Sequence, residues 1–298
     1  MTTFNPTQPG QPIGIFDSGV GGLTVYRAIR ERLPFEDIVY LGDTARIPYG
    51  TRSLVTVRRY ALEDAAFLVS CGIKLLVVAC NTASSTAMDV LTDALSIPVI
   101  GMIGPGARRA INLTRNGRIG VIGTEATVGS GAYTRAIHQL LPEAVVIERS
   151  CPLFVPLTEE GWANHQVTAM VAEEYLKPFA QDEIDTLVLG CTHYPILRTL
   201  IQQVVGEHVN LVDSGASAAE EVLATLPGQE VNGPLQRPQQ TRFCVTDTGQ
   251  RFRRIAEIFL GHPMDQPESV DLWAMNNDKV KLQADVPHQD EERPDSSF

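Results

Sequence analysis

Two cysteines of this 298-residue chain share a context that suits acid–base chemistry. Cys80 follows the apolar run 73–79, and Cys191 follows the apolar run 184–190. Each run has the length of a buried strand, a small residue precedes each cysteine, and hydrogen-bonding side chains and a helical stretch follow. Ligands of open α/β sheets bind at the carboxyl ends of strands, and a helix N-terminus stabilises a thiolate. The repeated pattern therefore predicts a site with two matched acid–base groups.

Packing is the competing interpretation of these cysteines, since cysteine is among the most buried residue types. The repetition of the whole pattern favours chemistry over packing. Cys71, Cys151 and Cys244 lack this context, and we interpret them as packing residues. A protease-like nucleophile made of Cys191 and His193 is an alternative, but it leaves the first cysteine and the repetition unexplained.

Polar residues near the predicted strand ends could support the cysteines. Asp17 ends a predicted strand and could exchange a proton with a nearby thiol. The glycine-rich turn 18–22 after it has neither a Walker lysine nor the GxGxxG spacing, which disfavours a nucleotide-binding site. The helix start that follows this turn could instead hold a substrate carboxylate. Two interpretations of His193 stay open from the sequence, a structural role and a catalytic one. The hydroxyl and amide side chains near the cysteines likewise could cap helices or bind substrate carboxylates.

Composition excludes several classes of function. The net charge is −11 and no segment concentrates Lys and Arg, which argues against nucleic acid or an anionic membrane as the main partner. No apolar run approaches the ~20 residues of a membrane-spanning helix, and the first residues do not resemble a secretory signal. Five cysteines without CxxC or HExxH spacing favour reduced thiols in the cytoplasm and disfavour a metal site.

Alternating strand and helix patterns predict an α/β protein with mostly parallel sheets. The strand 118–124 resembles the strand 14–18, with Thr124 in the place of Ser18. Together with the two cysteine strands, this similarity indicates an approximate internal duplication. A strand at 97–103 is predicted to run into a break at Gly104, Pro105 and Gly106.

The duplication predicts two pseudo-symmetric α/β domains with the active site in the cleft between them. We expect residues 13–103 and 214–262 to form a discontinuous first domain and residues 104–213 to form the second. Residues 1–12 are expected to be a flexible lead-in. Residues 263–298 are acidic and lack periodicity, which predicts a solvated tail.

Six segments of the chain resemble the glutamate racemases, in the order that this family has them. They begin at residues 14, 40, 48, 80, 120 and 190, and they read GIFDSGVGGLTV, YLGD, PYG, CNTAS, GVIGT and GCTHYP. The resemblance extends over about residues 13 to 262. It implies a cofactor-independent enzyme, with no metal, that interconverts L- and D-glutamate and so supplies D-glutamate for peptidoglycan synthesis. A pyridoxal phosphate enzyme would need a Schiff-base lysine, and no lysine stands in such a context.

The resemblance also implies roles for individual residues. Cys80 takes the proton from D-glutamate with help from Asp17, and Cys191 takes it from L-glutamate with help from His193. It places around the substrate Asp17, Ser18, Tyr49, Gly50, Asn81, Thr82, Thr124, Glu159, Thr192 and His193. An unperturbed thiol titrates near pH 8.5, so we expect only modest tuning of the two cysteines.

Further expectations are a homodimer and a cytoplasmic location. The alternatives are a racemase of another amino acid, such as aspartate, and a non-catalytic binding protein on the same scaffold. The histidine after Cys191 and Thr192 favours the glutamate branch, and the two intact cysteines argue against an inactive scaffold.

Overall fold

Residues 10–226 and 239–272 are described by the computed structural model of the chain. Their strands pair in parallel throughout, in one sheet of six strands and one of four. Helices cover both sheets. The predicted α/β class with mostly parallel sheets is confirmed.

The first part of the chain alternates strands and helices. Its elements are β1 (Ile13–Asp17), α1 (Leu23–Arg32), β2 (Ile38–Gly42), α2 (Leu54–Ser70), β3 (Leu75–Val78), α3 (Asn81–Thr86), α4 (Met88–Ala94), β4 (Val99–Ile100) and α5 (Ile103–Leu113). Strands β1, β2 and β3 are buried along their whole length. Burial on both faces explains why these strands are continuous apolar runs and do not alternate with polar residues.

The middle of the chain repeats this alternation. Its elements are β5 (Arg118–Gly123), α6 (Glu125–Gly129), α7 (Ala132–Leu140), β6 (Val145–Ser150), α8 (Phe154–Glu159), α9 (Gln166–Leu176), β7 (Thr186–Gly190), α10 (Arg198–Val205) and β8 (Asn210–Asp213). The described remainder contains α11 (Ser214–Thr225), β9 (Thr241–Val245), α12 (Gly249–Leu260) and β10 (Glu268–Ser269).

The two sheets share one strand order. The four-stranded sheet runs β6-β5-β7-β8, and the six-stranded sheet contains the equivalent run β2-β1-β3-β4, extended by β9 and β10 beyond β2. The strands that end at Asp17 and just before Cys80 are neighbours in the first sheet. Their equivalents, which end just before Thr124 and Cys191, are neighbours in the second.

Both faces of the first sheet carry a hydrophobic core. Helices α1, α11 and α12 pack on one face, with Ile15, Ile29 and Phe259 in the same buried cluster. Helices α2 and α4 cover the other face. Strand β9 pairs with β2, so a segment beyond residue 213 belongs to the first sheet, as the discontinuous domain would require. The domain boundaries themselves stay a prediction.

The predicted break at residues 104–106 is wrong. Helix α5 begins at Ile103 and includes Gly104, Pro105 and Gly106 in its first turn. The first four N–H groups of a helix have no partner within it, so the missing N–H of Pro105 costs no hydrogen bond there.

The expectation of a helix directly after each cysteine holds for one of them. Cys80 is the N-cap residue of α3. After Cys191 the chain makes a turn, then the 3₁₀ segment Tyr194–Leu197, and only then α10. Proline disfavours the α conformation of the residue before it, and Pro195 is the second residue of this segment. Helix-dipole stabilisation of a thiolate thus applies to Cys80 alone.

The tail starts later than residue 263. Strand β10 pairs in parallel with β9, and Met264 and Leu272 are buried. These two apolar side chains fix a segment whose composition is otherwise polar. Residues 1–9 and 273–298 lie outside the described residues. No helix within 10–226 or 239–272 is both long and apolar enough to cross a membrane.

Candidate active site

A cavity of about 210 Å³ lies where the carboxyl ends of the two sheets meet. Both halves of the chain contribute to its wall. The first half provides Ser18 and residues 48–51 and 80–82, and the second provides residues 124–125 and 191–193 with Pro152, Val155 and Pro156. Both repeated cysteines therefore face one cavity, each delivered by its own sheet.

Cys80 enters this cavity from the end of β3. Its Sγ lies 3.6 Å from Oγ of Ser18. Burial, together with the negative charge of Asp17, raises the pKa of the Cys80 thiol to about 12. The modest tuning expected from the sequence is wrong for this residue, because burial outweighs the hydrogen bonds that favour its thiolate.

Asp17 lies behind the wall that holds Cys80. It is fully buried, and its Oδ2 accepts a hydrogen bond of 2.9 Å from the backbone N–H of Gly19. Its Oδ1 is buried and has no hydrogen-bond partner among the described residues. Burial raises the pKa of Asp17, although the charge of His193 opposes this effect.

Cys191 has a different set of neighbours. Nδ1 of His193 lies 3.9 Å from Sγ of Cys191, and Nε2 of the same ring lies 3.2 Å from Oε1 of Glu159. The other oxygen of Glu159 accepts a hydrogen bond of 3.1 Å from Arg251 of α12. Burial disfavours the charged imidazole, but its contacts with Cys191 and Glu159 prevail and raise the pKa of His193 to about 10.

Glu159 completes this chain of charges. Burial alone would raise the pKa of its carboxyl, but hydrogen bonding to His193 and the charges of His193 and Arg251 lower it. An ionised Glu159 therefore holds the His193 ring beside Sγ of Cys191. The two cysteines have similar strands but different acid–base partners.

Hydroxyl groups from both halves meet at the cavity. Oγ1 of Thr82 lies 3.0 Å from Oγ1 of Thr124, and Oγ1 of Thr24 donates to the backbone oxygen of Thr192 at 2.9 Å. Asn81 accepts a hydrogen bond of 2.7 Å from the hydroxyl of Tyr133. These contacts join the strand ends of one sheet to those of the other.

All but two of the predicted site residues line the cavity. Asp17 and Glu159 do not line it and act on it only through neighbours. Tyr49 lines the cavity, but its hydroxyl is directed at Asp43 and Asp64. Ser18, Gly50, Asn81, Thr82, Thr124, Thr192 and His193 all have atoms at the wall.

Sequence reasoning did not find several lining residues. Pro48 and Thr51 flank the predicted Tyr49 and Gly50, and this position in the sequence could have identified them as lining residues. Glu125 follows Thr124, while Pro152, Val155 and Pro156 form an apolar wall for which the sequence carries no chemical signal.

No Lys or Arg of the described residues lines the cavity, which leaves His193 as its only cationic side chain. No three His, Cys, Asp or Glu side chains of residues 10–226 and 239–272 are grouped as metal ligands would be.

Comparison with known proteins places the chain in a family. The profile of the Asp/Glu/hydantoin racemases matches residues 13–222. A glutamate racemase from Geobacter metallireducens is 52% identical over 266 residues, which cover 89% of this chain and 98% of that protein.

Solved structures agree. A glutamate racemase isoform from Bacillus anthracis superposes with a TM-score of 0.84 at 40% identity, over 89% of this chain and 99% of that one. A glutamate racemase from Francisella tularensis, solved in complex with D-glutamate, has a TM-score of 0.82 at 40% identity, over 89% and 98% of the two chains. This chain belongs to the glutamate racemases, within the Asp/Glu/hydantoin racemase family.

Proposed function

We propose that this protein interconverts L- and D-glutamate without a cofactor, by moving the Cα proton between two cysteines. The observation that carries this proposal is the placement of Cys80 and Cys191, one from each sheet, on the wall of one cavity. Inversion at Cα needs one base and one acid on opposite faces of the carbon, and two thiols of similar chemistry can exchange these roles.

In the direction from L- to D-glutamate, the thiolate of Cys191 takes the Cα proton and the C–H electrons stay on the substrate as a carbanion. The thiol of Cys80 then gives its proton to the opposite face. Afterwards Cys80 is the thiolate and Cys191 the thiol, which is the state that the reverse reaction needs. Nothing is oxidised or reduced, and no group other than a proton is transferred.

The neighbours of each cysteine support this exchange. The imidazolium of His193, held by Glu159, lies beside Sγ of Cys191, where it stabilises a thiolate. The thiol of Cys80 donates to Oγ of Ser18, and after deprotonation the same hydroxyl can turn its hydrogen toward the thiolate and stabilise it. Asp17 is a positioning residue, because it lies behind the wall and acts on Cys80 through its charge.

Substrate binding relies on hydrogen-bond donors and on the charge of His193. Glutamate brings two carboxylates, and the described wall contains no Lys or Arg to pair with them. The hydroxyls of Ser18, Thr82, Thr124 and Thr192 and nearby backbone N–H groups are the donors available. The complex of the Francisella tularensis relative with D-glutamate supports glutamate as the ligand.

The test is a racemisation assay on the purified, dialysed protein without added cofactor. L-glutamate and, separately, D-glutamate should each approach an equal mixture of the enantiomers, measured by chiral chromatography. L-aspartate is the matched substrate, one methylene shorter, and it should react far more slowly. Racemisation of aspartate in preference to glutamate would assign the chain to the other substrate, and no turnover of either would indicate a binding protein.

The cellular role that follows is supply of D-glutamate for peptidoglycan synthesis, in the cytoplasm. The homodimer expected from the resemblance stays a prediction. Sedimentation of the purified chain, with and without D-glutamate, measures it directly.

A further inference from the structure

A buried cluster of charged side chains lies behind the cavity segment 48–51. Arg46 is 5% exposed, and Asp43 and Asp64 are fully buried. Nε of Arg46 donates to Oδ2 of Asp43 at 2.6 Å, and its Nη2 donates to Oδ1 of Asp64 at 2.6 Å. Its Nη1 donates to Glu63.

The hydroxyl of Tyr49 contacts both aspartates. Its oxygen lies 2.5 Å from Oδ2 of Asp43 and 2.9 Å from Oδ2 of Asp64. A phenol carries one hydrogen, and an ionised carboxylate only accepts. Two linear hydrogen bonds therefore need a second hydrogen, which one of the carboxyl groups must carry.

The donors around the two aspartates identify which one is protonated. Asp43 accepts from Arg46 and from Tyr49, and its Oδ1 accepts a third hydrogen bond of 2.8 Å from Oγ1 of Thr246. Asp64 accepts from Arg46 alone if Tyr49 donates to Asp43. More donors favour the charged form of Asp43. Burial and the charge of Asp43 raise the pKa of Asp64 in agreement with this assignment.

We propose that Asp64 is a neutral carboxylic acid whose O–H donates a hydrogen bond to the hydroxyl oxygen of Tyr49, and that it is thereby a positioning residue for the segment 48–51 of the cavity wall. Tyr49 begins the 3₁₀ turn of this segment. Gly50 of the same turn packs against Thr124 so closely that a Cβ would lie 3.1 Å from the Cβ of Thr124. A fixed Tyr49 thus sets the distance between the two halves at the cavity.

The ionisable groups that face Asp64 are Asp43, Arg46 and Tyr49 from the segment after β2, and Glu63 from α2 itself. On the neighbouring helix α4, the ionisable group near α2 is Asp89, which pairs with Arg58 and not with this cluster. Tyr60 of α2 covers Arg46, with its ring centroid 4.3 Å from the guanidinium carbon.

The first test measures unfolding in urea at several pH values for the wild type and for Asp64→Asn. Asn has the shape of the neutral acid, and its amide can donate to Tyr49 while its oxygen accepts from Arg46. A carboxyl whose pKa is raised on folding stabilises the fold fully below its unfolded pKa, and this stability is lost as the pH rises toward the folded pKa. Asn does not titrate. The ratio of the wild-type unfolding constant to that of Asp64→Asn should therefore rise about tenfold per pH unit above about pH 4.

Asp43→Asn is the matched control. It removes the ionised partner of Arg46, so it should unfold far more readily than Asp64→Asn at pH 5.5. A pH-independent ratio between wild type and Asp64→Asn would overturn the assignment, as would an Asp43→Asn variant more stable than Asp64→Asn. Infrared spectroscopy adds a signature, since the C=O stretch of a protonated carboxyl should be present in the wild type and missing in Asp64→Asn.

The effect on the cavity is measured by kinetics, and this part alone rests on the proposed function. Asp64→Ala should raise KM for glutamate more than it lowers kcat, and Asp64→Asn should restore KM toward the wild-type value. An equal KM in Asp64→Ala and in the wild type would remove the positioning role. If the wild type itself does not racemise glutamate, the proposed function is contradicted. The assignment of a neutral Asp64 is then still decided by the unfolding measurements.

Discussion

The two cysteines occupy equivalent places in two similar sheets, but their partners differ. Cys80 has Ser18 beside it and the carboxyl of Asp17 behind it, whereas Cys191 has the imidazole of His193. The apolar runs before the cysteines and the polar residues after them were sufficient to predict both thiols as site residues. The pKa of Cys80 was not predictable, because burial is a property of the folded chain.

Replacement of either cysteine tests the two-thiol mechanism. Cys80→Ser and Cys191→Ser should each abolish racemisation in both directions, because a serine hydroxyl is a far weaker acid than a thiol and each direction uses both groups. Chiral chromatography from both enantiomers measures this result. Cys71→Ser is the matched control, a half-buried cysteine outside the cavity, and it should retain turnover. Near wild-type turnover by either active-site variant would contradict the mechanism.

The helper residues are tested by Asp17→Asn and His193→Asn. His193→Asn should slow turnover by roughly 10²–10⁴, the usual effect of losing an acid–base group. Asp17→Asn should also slow turnover, because it removes the buried charge that acts on Cys80. The equilibrium constant between enantiomers is one, so kcat/KM must stay equal in both directions. Asymmetry should therefore appear in kcat and KM separately, and it should be opposite in the two variants because the residues serve different cysteines. Unchanged constants in both would leave these residues with structural roles.

At the scale of elements, the turn between β1 and α1 fixes His193 from outside its own sheet. A Cβ on Gly21 would lie against Oγ1 of Thr192 and within 2.5 Å of the His193 ring. The absence of a side chain at this position is what lets the first sheet approach the second. The glycine-rich sequence indicated a tight turn, but the contact with the histidine more than 170 residues away was not visible in it.

Gly21→Ala should therefore displace His193 and reduce kcat. A displacement of about 1 Å near reacting groups can cost roughly 10² in rate. Gly129→Ala is the matched control, since no atom lies within 4 Å of a Cβ built there. Steady-state kinetics, with circular dichroism to verify folding, measures both variants. Wild-type kcat in Gly21→Ala would mean that the turn does not set the position of the ring.

Helix and strand prediction succeeded where a single local signal decided the structure. The strands before both cysteines lie within the apolar runs 73–79 and 184–190, as expected. It failed at Pro105, where position within the helix decided the outcome. The pairing of Arg46 with Asp64 joins residues on two elements, and periodicity carries no information about such a contact.

At the scale of the whole molecule, contacts between the two halves complete the site. Arg251 of α12, on the first sheet, reaches Glu159 of α8, on the second, and through it the His193–Cys191 pair. Thr24 of α1 makes a second contact between the halves, since its hydroxyl donates to the backbone oxygen of Thr192. The duplicated strand order gives two sheets of one topology, and each sheet delivers one of the two thiols to the same cavity.

This arrangement predicts the origin of the proton in the product. Thiol protons exchange with water before the substrate binds, so in D₂O the donor cysteine carries deuterium. L-glutamate should yield D-glutamate with deuterium at Cα from the first turnovers, while the remaining L-glutamate stays mostly protiated. A single base that served both faces would return some of the original hydrogen to the product. Mass spectrometry of chirally separated glutamate at low conversion distinguishes the two cases, and product that retains its original hydrogen would exclude the two-thiol mechanism.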